Sequence, residues 1–312
     1  MLNLQSAKGG RFPLPVLNLQ SAKGGQFPLP VLNLQSAKGG RFPPPVRYVS
    51  RVCAMKHHEN YKELVWTLAK TDFKLRYHGS ALGYVWAILK PLLMFAILNF
   101  VFSSIFNPRG TGVEHYSLQL LVGIMLFNFF SEGTSAGMAS LISKSQLVTK
   151  IYVPRWTIIL ASTINAALIF IMNLAVIIFF FAYKQFIPSF GAILMFLLFS
   201  VLTYFIILTF SLFTAPLYVK FRDLSMIWEV IVTALFYASP IIYPLQMLPE
   251  YIQKVLLINP MAFIIHFTKE SLVSGHFADL WQNLLFIILI GIAFTLSIFS
   301  YRKMSPKIAE EM

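Results

Sequence analysis

Long runs without charge dominate the pattern of hydrophobic and polar positions along this chain. Each run is mostly apolar and about as long as a spanning helix, which needs roughly 20 residues at about 1.5 Å per residue to cross a hydrocarbon core of about 30 Å. None shows the strict alternation of a barrel strand. The pattern therefore predicts an all-α integral membrane protein with six transmembrane helices. The charge-free runs are Pro91–Pro108, His115–Ser131, Trp156–Tyr183, Gln185–Val219, Val230–Pro249 and Leu280–Tyr301.

A different pattern precedes the first run. Between His57 and Tyr77 the apolar residues fall mostly on one helical stripe, with lysines and Arg76 interleaved. This pattern is typical of a basic amphipathic helix that lies on the inner membrane surface. Its simplest role is that of a juxtamembrane anchor. The stripe comprises Tyr61, Leu64, Val65, Leu68, Phe73 and Leu75.

Two connections between the predicted spans also carry a pattern. The inner segment Ala139–Trp156 mixes apolar and polar residues in the manner of a short amphipathic helix, which Pro154 ends. The simpler alternative is a basic loop that only sets topology. The outer segment Ser239–Asp279 has four prolines among apolar and aromatic residues. It is too apolar for a solvated loop and too interrupted for one helix, so it predicts short outer re-entrant helices between spans five and six.

Composition and charge support the membrane class and set an orientation. Hydrophobic residues make up 57% of the chain and charged residues 12%, against about 25% charged residues in soluble domains. From Lys56 onward, thirteen basic residues fall on the side of the N-terminal helix and four on the other side, with Lys90 at the edge of the first span. The positive-inside rule therefore predicts that both termini are cytoplasmic. The net charge of +13 is scattered over short loops, so nucleic acid binding is not predicted.

Residues 1–54 form a separate segment. A 15-residue unit occurs three times with few changes, at Leu2–Val16, Leu17–Val31 and Leu32–Val46. The unit LNLQSAKGGRFPLPV is too polar and too rich in Pro and Gly to bury a core, which predicts a disordered tandem-repeat leader. We expect a translated DNA repeat upstream of the true start, with Met55 as the initiator; a basic cytoplasmic tail is the functional alternative. The transmembrane domain is then residues 55–312.

Three runs within that domain resemble one family. They are TDFKLRYHGSALGYVWAILKPL at Thr71–Leu92, SEGTSAGMASLISKSQLVTKIYVPRW at Ser131–Trp156 and SPIIYPLQMLPEYIQKVLLINPMAFII at Ser239–Ile265. In content and order they resemble the permease subunits of ABC-2 type exporters. The nearest resemblance is to the polysaccharide branch, which exports O-antigen, capsular or teichoic acid chains on a lipid carrier. It covers Met55–Met312.

The resemblance implies a transport subunit without enzymatic activity in the bacterial inner membrane. Such a subunit forms a homodimer and rests on two copies of a separate nucleotide-binding ATPase subunit, which binds ATP and Mg²⁺. No cofactor is expected on this chain. In agreement, the sequence contains no GxxxxGK[ST] phosphate-binding motif. The implied cargo is a lipid-linked glycan.

The resemblance also assigns roles to two sets of residues. The helix within Ala139–Pro154 would be the coupling helix that docks in the ATPase, and the N-terminal helix would flank the glycan entry. The first and fifth spans of both copies would line the conduit, where aromatic rings could stack on sugars or simply contact lipid. The predicted coupling residues are Ser143, Lys144, Gln146, Leu147 and Lys150. The predicted substrate path comprises Arg76, Tyr84, Trp86, Tyr237 and Tyr243.

Other functions stay open from the sequence. An ABC-2 exporter of teichoic acid, a drug or a small lipid would use the same six spans. A secondary transporter would need several buried ionisable groups and a repeated half, whereas Glu132 is the one acidic group within a predicted span, either functional or paired with Lys144. A membrane enzyme would need clustered Asp, Glu or His. The six histidines are dispersed, so we predict no catalytic residue and no metal site.

Overall fold

The computed structural model describes residues 61–77, 82–106, 115–150 and 153–307. Residues 1–54 and Met55 lie outside the described residues, so the leader and the start site stay predictions. Throughout the described ranges the regular structure is helical, without a β-strand. The helices are α1 (Tyr61–Tyr77), α2 (Val85–Phe106), α3 (Tyr116–Ser143), α4 (Ser145–Lys150), α5 (Arg155–Tyr183), α6 (Phe190–Lys220), α7 (Leu224–Ala238), α8 (Glu250–Leu256), α9 (Pro260–Lys269) and α10 (Leu280–Met304), with 3₁₀ turns at Leu245–Met247 and Ser305–Lys307 and a π-helical turn at Glu270–Ser274.

Five of these helices, α2, α3, α5, α6 and α10, are long and apolar enough to cross a membrane. They confirm the predicted class of all-α membrane protein. Two boundaries differ from the charge-free runs. Helix α2 starts at Val85 rather than Pro91, after a turn in which Gly83 adopts a φ of 46° that glycine tolerates without steric cost. Helix α3 continues past Glu132 to Ser143, since glutamate is a good helix former, and the carboxylate of Glu132 is paired with Arg76.

The predicted fifth span, Val230–Pro249, has the wrong boundaries. Helix α7 begins at Leu224 and ends at Ala238. It stops there because a residue that precedes proline is driven out of the helical region, and Ser239, before Pro240, is extended at φ −102° and ψ 143°. Its 15 residues measure about 22 Å, less than a hydrocarbon core of about 30 Å.

The chain beyond α7 is not helical. Residues 239–244 form a turn segment, in which the N–H of Ile241 donates to the carbonyl of Ser239 at 2.7 Å, and its next three backbone carbonyls are satisfied by side chains. The Tyr116 hydroxyl, at the start of α3, donates to the carbonyl of Ile242 at 2.8 Å. The Lys269 amine, at the end of α9, donates to the carbonyls of Pro240 at 2.6 Å and Ile241 at 2.9 Å. Non-helical backbone at membrane depth requires such partners. The turn segment is therefore satisfied within the protein without helical hydrogen bonds.

The segment between α7 and α10 folds into the short helices α8 and α9, and their re-entrance into the membrane from the outer side stays a prediction. Pro249 precedes α8, and Pro260 is the first residue of α9, where the missing N–H costs nothing. Asn259 caps α9 by accepting the N–H of Met261 at 3.0 Å. Helix α9 packs against α3 and α6, which places this segment on the helical core rather than in a free loop.

Helix α3 is the centre of the bundle. In the most apolar 18-residue stretch of α3, 72% of the residues are buried, whereas the corresponding fraction is 17% in α2 and 22% in α10. It packs closely against α5 and α6, and less closely against α2, α7 and α9. The main hydrophobic core surrounds its first half, where Leu120, Leu121 and Met125 are fully buried. Movements at either end of the protein therefore act on the same helix.

Helices α3 and α6 approach each other closely at a Gly-x-x-x-Gly pair. A Cβ added at Gly133 would lie 2.7 Å from Cδ1 of Ile207, and one added at Gly137 would lie 2.5 Å from Cβ of Ser211. The Ser211 hydroxyl donates to the Ile207 carbonyl at 2.7 Å, so it has little freedom to move aside. Small residues one turn apart allow this approach, as in other membrane helix pairs.

We expect Gly137→Ala to destabilise the protein by about 1–3 kcal/mol, the usual cost of overpacking a filled contact. The matched control is Gly291→Ala in α10, where an added Cβ meets nothing within 4 Å. Both substitutions gain the same helix propensity. The difference between the stabilities of the two variants therefore reports only the contact of α3 with α6. Thermal unfolding in detergent measures it. Equal midpoints for the two variants would show that α3 and α6 are not in close contact.

Candidate functional site

Helix α1 packs along the start of α5 as an amphipathic helix. Val65 and Ala69 are buried against Ala161, and the rings of Tyr61 and Trp156 meet edge to face with centroids 5.7 Å apart. Buried and half-buried positions recur every three or four residues, the spacing of one helical face. The predicted apolar stripe is thus the side of α1 that faces the protein, except for Leu75, which is 67% exposed.

The other face of α1 is exposed and basic. Lys62, Lys70 and Lys74 are exposed, and the Lys70 ammonium lies 5.0 Å from the ring centroid of Trp66. Cations and a tryptophan on one face suit the headgroup region of a bilayer. The arrangement agrees with the predicted interfacial helix.

Two ion pairs connect α1 to α3, one at the C-terminal end of α3 and one about three turns earlier. The Asp72 carboxylate pairs with the Lys144 ammonium, which also lies 3.4 Å from the Ser162 hydroxyl of α5. One turn further along α1, the Arg76 guanidinium pairs with the Glu132 carboxylate. The side chains of the first pair are 14% and 20% exposed, against 41% and 29% for the second. The first pair is the better shielded, so it contributes more to holding α1 in place.

These pairs revise two interpretations of single residues. Glu132 does not pair with Lys144; each binds a different residue of α1. Arg76, assigned to the substrate path, has its guanidinium engaged by Glu132. It can still border an entry site, because its side chain is 41% exposed. The sequence could not reveal these partners, which lie far apart along the chain.

The predicted coupling helix is shorter than its apolar pattern suggested. Ala139–Ser143 belongs to the last turn of α3, and the helix breaks at Lys144, with φ −116° and ψ 29°. Helix α4 starts anew from there, since the Lys144 carbonyl accepts the N–H groups of Leu147 and Val148 at 2.9 and 3.1 Å. The segment is therefore a six-residue helix joined to α3 by a single residue.

The structure brings the predicted coupling residues to one end of α3. Ser143 and Gln146 are exposed, and Leu147 is half-buried. Lys144 is the hinge residue between α3 and α4 and is held by Asp72. Lys150 is the last residue of α4, but its side chain lies outside what the structure describes. The exposed side chains of Ser143 and Gln146 are available to a partner protein.

The predicted substrate path separates into two groups. In the first, the ring of Tyr84 stacks on Phe73 of α1 with centroids 5.2 Å apart and planes 14° from parallel. Trp86 follows in the first turn of α2 and is 43% exposed. Together with Arg76, these residues line the junction of α1 and α2.

The second group lies at the far end of α7. The Tyr243 hydroxyl donates to the carbonyl of Tyr237 at 3.0 Å, and Tyr237 is 64% exposed. The neighbouring ring of Phe236 packs on Phe127 of α3 with centroids 5.2 Å apart. Tyr243 therefore holds the backbone at the end of α7, while the ring of Tyr237 is accessible.

Sequence analysis missed Lys269, which it counted among the scattered outer charges. The side chain is 6% exposed, and the signal was its register: it follows Met261, Ile265 and Thr268 on the buried face of α9. Burial lowers its pKa from the usual 10.5 to about 7, while nearby Glu270 acts in the opposite direction. A neutral lysine amine keeps two N–H donors, which matches the two carbonyls that it contacts.

Further polar side chains surround this lysine. The Gln246 amide donates to the Glu270 carboxylate, and Nδ1 of His276 lies 3.7 Å from the same carboxylate. Burial lowers the pKa of His266, one turn before Glu270. Within the described ranges no group of three or more His, Cys, Asp or Glu side chains could hold a metal ion. These polar contacts hold the outer helices against the turn segment.

Fold and site together define a polytopic helical membrane protein. Its basic amphipathic helix α1 is bound through an ion pair to the start of the short helix between two spans. Residues 63–273 match the family described as ABC-2 type transporter. The match covers more than half of the chain, which therefore belongs to the ABC-2 type transporter family. This result confirms the resemblance seen in the three sequence runs.

The relatives of this chain include proteins named as O-antigen export permeases and one named as a polysialic acid transport protein. It is 27% identical over 224 residues to the O-antigen export system permease protein RfbA of Klebsiella pneumoniae, covering 71% of this chain and 85% of that protein. It is 26% identical over 209 residues to the protein of the same name from Myxococcus xanthus, covering 66% and 78%. It is 23% identical over 228 residues to the Polysialic acid transport protein KpsM of Escherichia coli, covering 71% and 85%.

The two ion pairs are expected to differ in strength. Asp72→Asn should destabilise the protein by about 1–3 kcal/mol, because it leaves the shielded Lys144 ammonium without its counter-charge. Double-mutant cycles in detergent, with Lys144→Gln and with the Arg76–Glu132 pair, measure the coupling energies. We expect a coupling energy below about 1 kcal/mol for the more exposed Arg76–Glu132 pair.

A charge exchange provides the control for the first pair. The double variant Asp72→Lys, Lys144→Asp should recover most of the stability lost in either single variant. No measurable coupling between the two positions would contradict the contact of α1 with the α3–α4 junction.

Lys269 should give the protein a recognisable pH dependence. Its folded-state pKa of about 7 lies below the usual 10.5, so between these pH values the unfolded chain binds more protons and stability rises with pH. We expect the wild-type thermal midpoint to rise from pH 7 to pH 10 more steeply than that of Lys269→Met. Lys269→Met should also be less stable at pH 10, because two backbone carbonyls lose their donors.

Lys254→Met is the matched control for that experiment. Lys254 lies on the adjacent α8 and is exposed, so its loss should leave the pH profile of the midpoint unchanged. Identical pH profiles for the wild type and Lys269→Met would contradict the burial of the amine.

Proposed function

We propose that this chain is the permease subunit of an ATP-driven exporter that moves a lipid-linked polysaccharide of the O-antigen type across the bacterial inner membrane. The observation that carries the proposal is the alignment with 78–85% of the length of permeases named for O-antigen export or polysialic acid transport. In this proposal the chain has no catalytic residue. ATP and Mg²⁺ bind a separate ATPase subunit.

The proposed topology has six crossings with both termini in the cytoplasm. Five come from the long helices, and the remaining one consists of α7 with the turn segment, whose carbonyls accept from Lys269 and Tyr116. A sixth crossing puts α1, α4 and the end of α10 on one side, where basic residues are concentrated. The outer helices α8 and α9 then lie on the opposite side of the membrane or re-enter from it.

In the proposed mechanism α4 receives the movement of the ATPase. A short helix that projects between two spans offers exposed side chains, Ser143 and Gln146, beside the hinge at Lys144. Because Lys144 is bound to Asp72, displacement of α4 also moves α1. The same contact would thus link ATP hydrolysis to the helix that flanks the glycan entry.

The proposed glycan path runs between two copies of the chain. Arg76, Tyr84 and Trp86 border its inner end, and Tyr237 with Tyr243 border its outer end. Helices α2 and α7 leave many large apolar side chains exposed, including Phe100 at 82% and Val230 at 70%, which a second copy or lipid must cover. Exposed aromatic rings such as Tyr237 could stack on passing sugars.

Transport of a labelled lipid-linked O-antigen chain in reconstituted vesicles tests the function. The full chain and its ATPase partner should together move the glycan only when ATP is present, and either protein alone should move none. ATP-dependent movement of a teichoic acid, a drug or a small lipid but not of the polysaccharide would assign the chain to another cargo class. Movement without ATP, driven by an ion gradient, would contradict the whole proposal.

A pair of variants on the two inner connections tests the role of α4. Leu147→Asp should weaken copurification with the ATPase about tenfold or more, because it puts a charge into the centre of a docking surface. Phe221→Asp makes the same kind of change in the turn between α6 and α7, where Phe221 is 55% exposed, and should leave copurification unchanged.

Insertion and monodispersity of both variants must match the wild type for the comparison to hold. Equal ATPase copurification for Leu147→Asp and the wild type would show that α4 only sets topology.

A further inference from the structure

A long apolar groove lies between α6, α9 and α10, away from the site described above. Its volume is about 680 Å³, within the range of about 300–1,000 Å³ that is usual for ligand pockets. Phe263 and Phe286 are among the side chains that line it. The groove is open on one side, where Ile258 is 79% exposed and Leu289 is 55% exposed. It therefore faces the region occupied by lipid around the bundle.

The groove has the depth of one membrane leaflet. Its lining on α10 extends from Gln282, in the first turn, to Ala293. At about 1.5 Å per residue this distance is about 16 Å, close to half of a hydrocarbon core of about 30 Å. On α6 the lining residues Ile206 and Thr209 lie near the middle of the helix. The groove thus begins at the membrane surface and ends near the bilayer centre.

The surface end of the groove carries its only charge. Among the lining residues only Lys254 is charged, and Gln282 is the polar side chain on α10. Within the described part of the chain no carboxylate comes within 4 Å of the Lys254 ammonium, although Glu250 lies one turn earlier on α8. An exposed cation above an apolar channel is complementary to an anionic headgroup above its hydrocarbon chain.

We propose that this groove is a binding site for an anionic phospholipid of the outer leaflet, whose acyl chain lies between α6 and α10 and whose phosphate meets Lys254. The site rests on the six-crossing topology and is independent of the cargo exported. A bound lipid here would fill the space between α10 and the short outer helices.

Two other occupants fit the groove less well. A second copy of the chain would bury Lys254 in an apolar contact, and lysine is depleted in the interiors of protein interfaces. The lipid carrier of the proposed cargo is loaded from the inner side, whereas the groove opens at the outer side and ends near the bilayer centre. A resident phospholipid requires neither a buried lysine nor passage across the membrane.

Native mass spectrometry of the delipidated full chain tests the proposal. The protein is titrated with phosphatidylglycerol or phosphatidylcholine that carry identical acyl chains. We expect the wild type to prefer phosphatidylglycerol and Lys254→Gln to reduce this preference about fivefold, the effect of one lysine near an anionic lipid surface. Lys184→Gln removes another exposed lysine of the outer side and should leave the preference unchanged.

A second pair of variants tests the apolar part of the site. Leu289→Trp fills the groove and should reduce binding of both lipids, whereas Leu296→Trp changes an exposed residue of the same helix that does not line the groove and should have no effect. Equal affinity of the wild type for the two lipids, or an unchanged preference in Lys254→Gln, would overturn the proposal. A change of oligomeric state in Leu289→Trp with unchanged lipid binding would assign the groove to a second copy instead.

Discussion

In the proposed topology, the need to satisfy every backbone carbonyl at membrane depth governs the structure from α7 to α9. Helix α7 ends at Ala238, ahead of Ser239 and Pro240, yet the chain continues without helical hydrogen bonds. Lys269 and Tyr116 supply the missing donors from α9 and α3. This requirement explains why a lysine is buried in an apolar helix and why the outer helices pack on the bundle. Without these donors the segment after α7 would have to leave the membrane.

Helix α3 connects this outer structure with the inner one. At its first residue the Tyr116 hydroxyl binds the turn segment, and at its C-terminal end Lys144 binds Asp72 of α1. Between these points Gly133 and Gly137 hold it against α6. A helix that is packed along its length and bonded at both ends can carry a displacement of α4 toward the outer helices, which a loosely packed helix could not do.

The sequence predicted what depends on local composition and failed where distant residues meet. Charge-free runs located five long helices because burial in lipid is a property of each run. The same rule placed the start of the fifth span too far along the chain, because a charge-free run cannot include Glu229. Helix α7 does include Glu229, and Asp223 precedes its first residue; charges near a helix end can reach the membrane surface. The partners of Glu132 and Lys144 were not predictable, because α1 reaches them only through its packing on α5. Lys269 was predictable in part, from its position on the buried face of α9.

The most direct test of the account is the side of the membrane on which α8 lies. If α7 and the turn segment form a crossing, α4 and α8 are on opposite sides of the membrane. If they do not, both are on the same side. In a Cys53→Ser background, a membrane-impermeant maleimide should label Glu250→Cys only from outside intact cells. It should label Gln146→Cys only in inside-out vesicles. Labelling of both positions from the same side would contradict the six-crossing topology, and with it the proposed transport path.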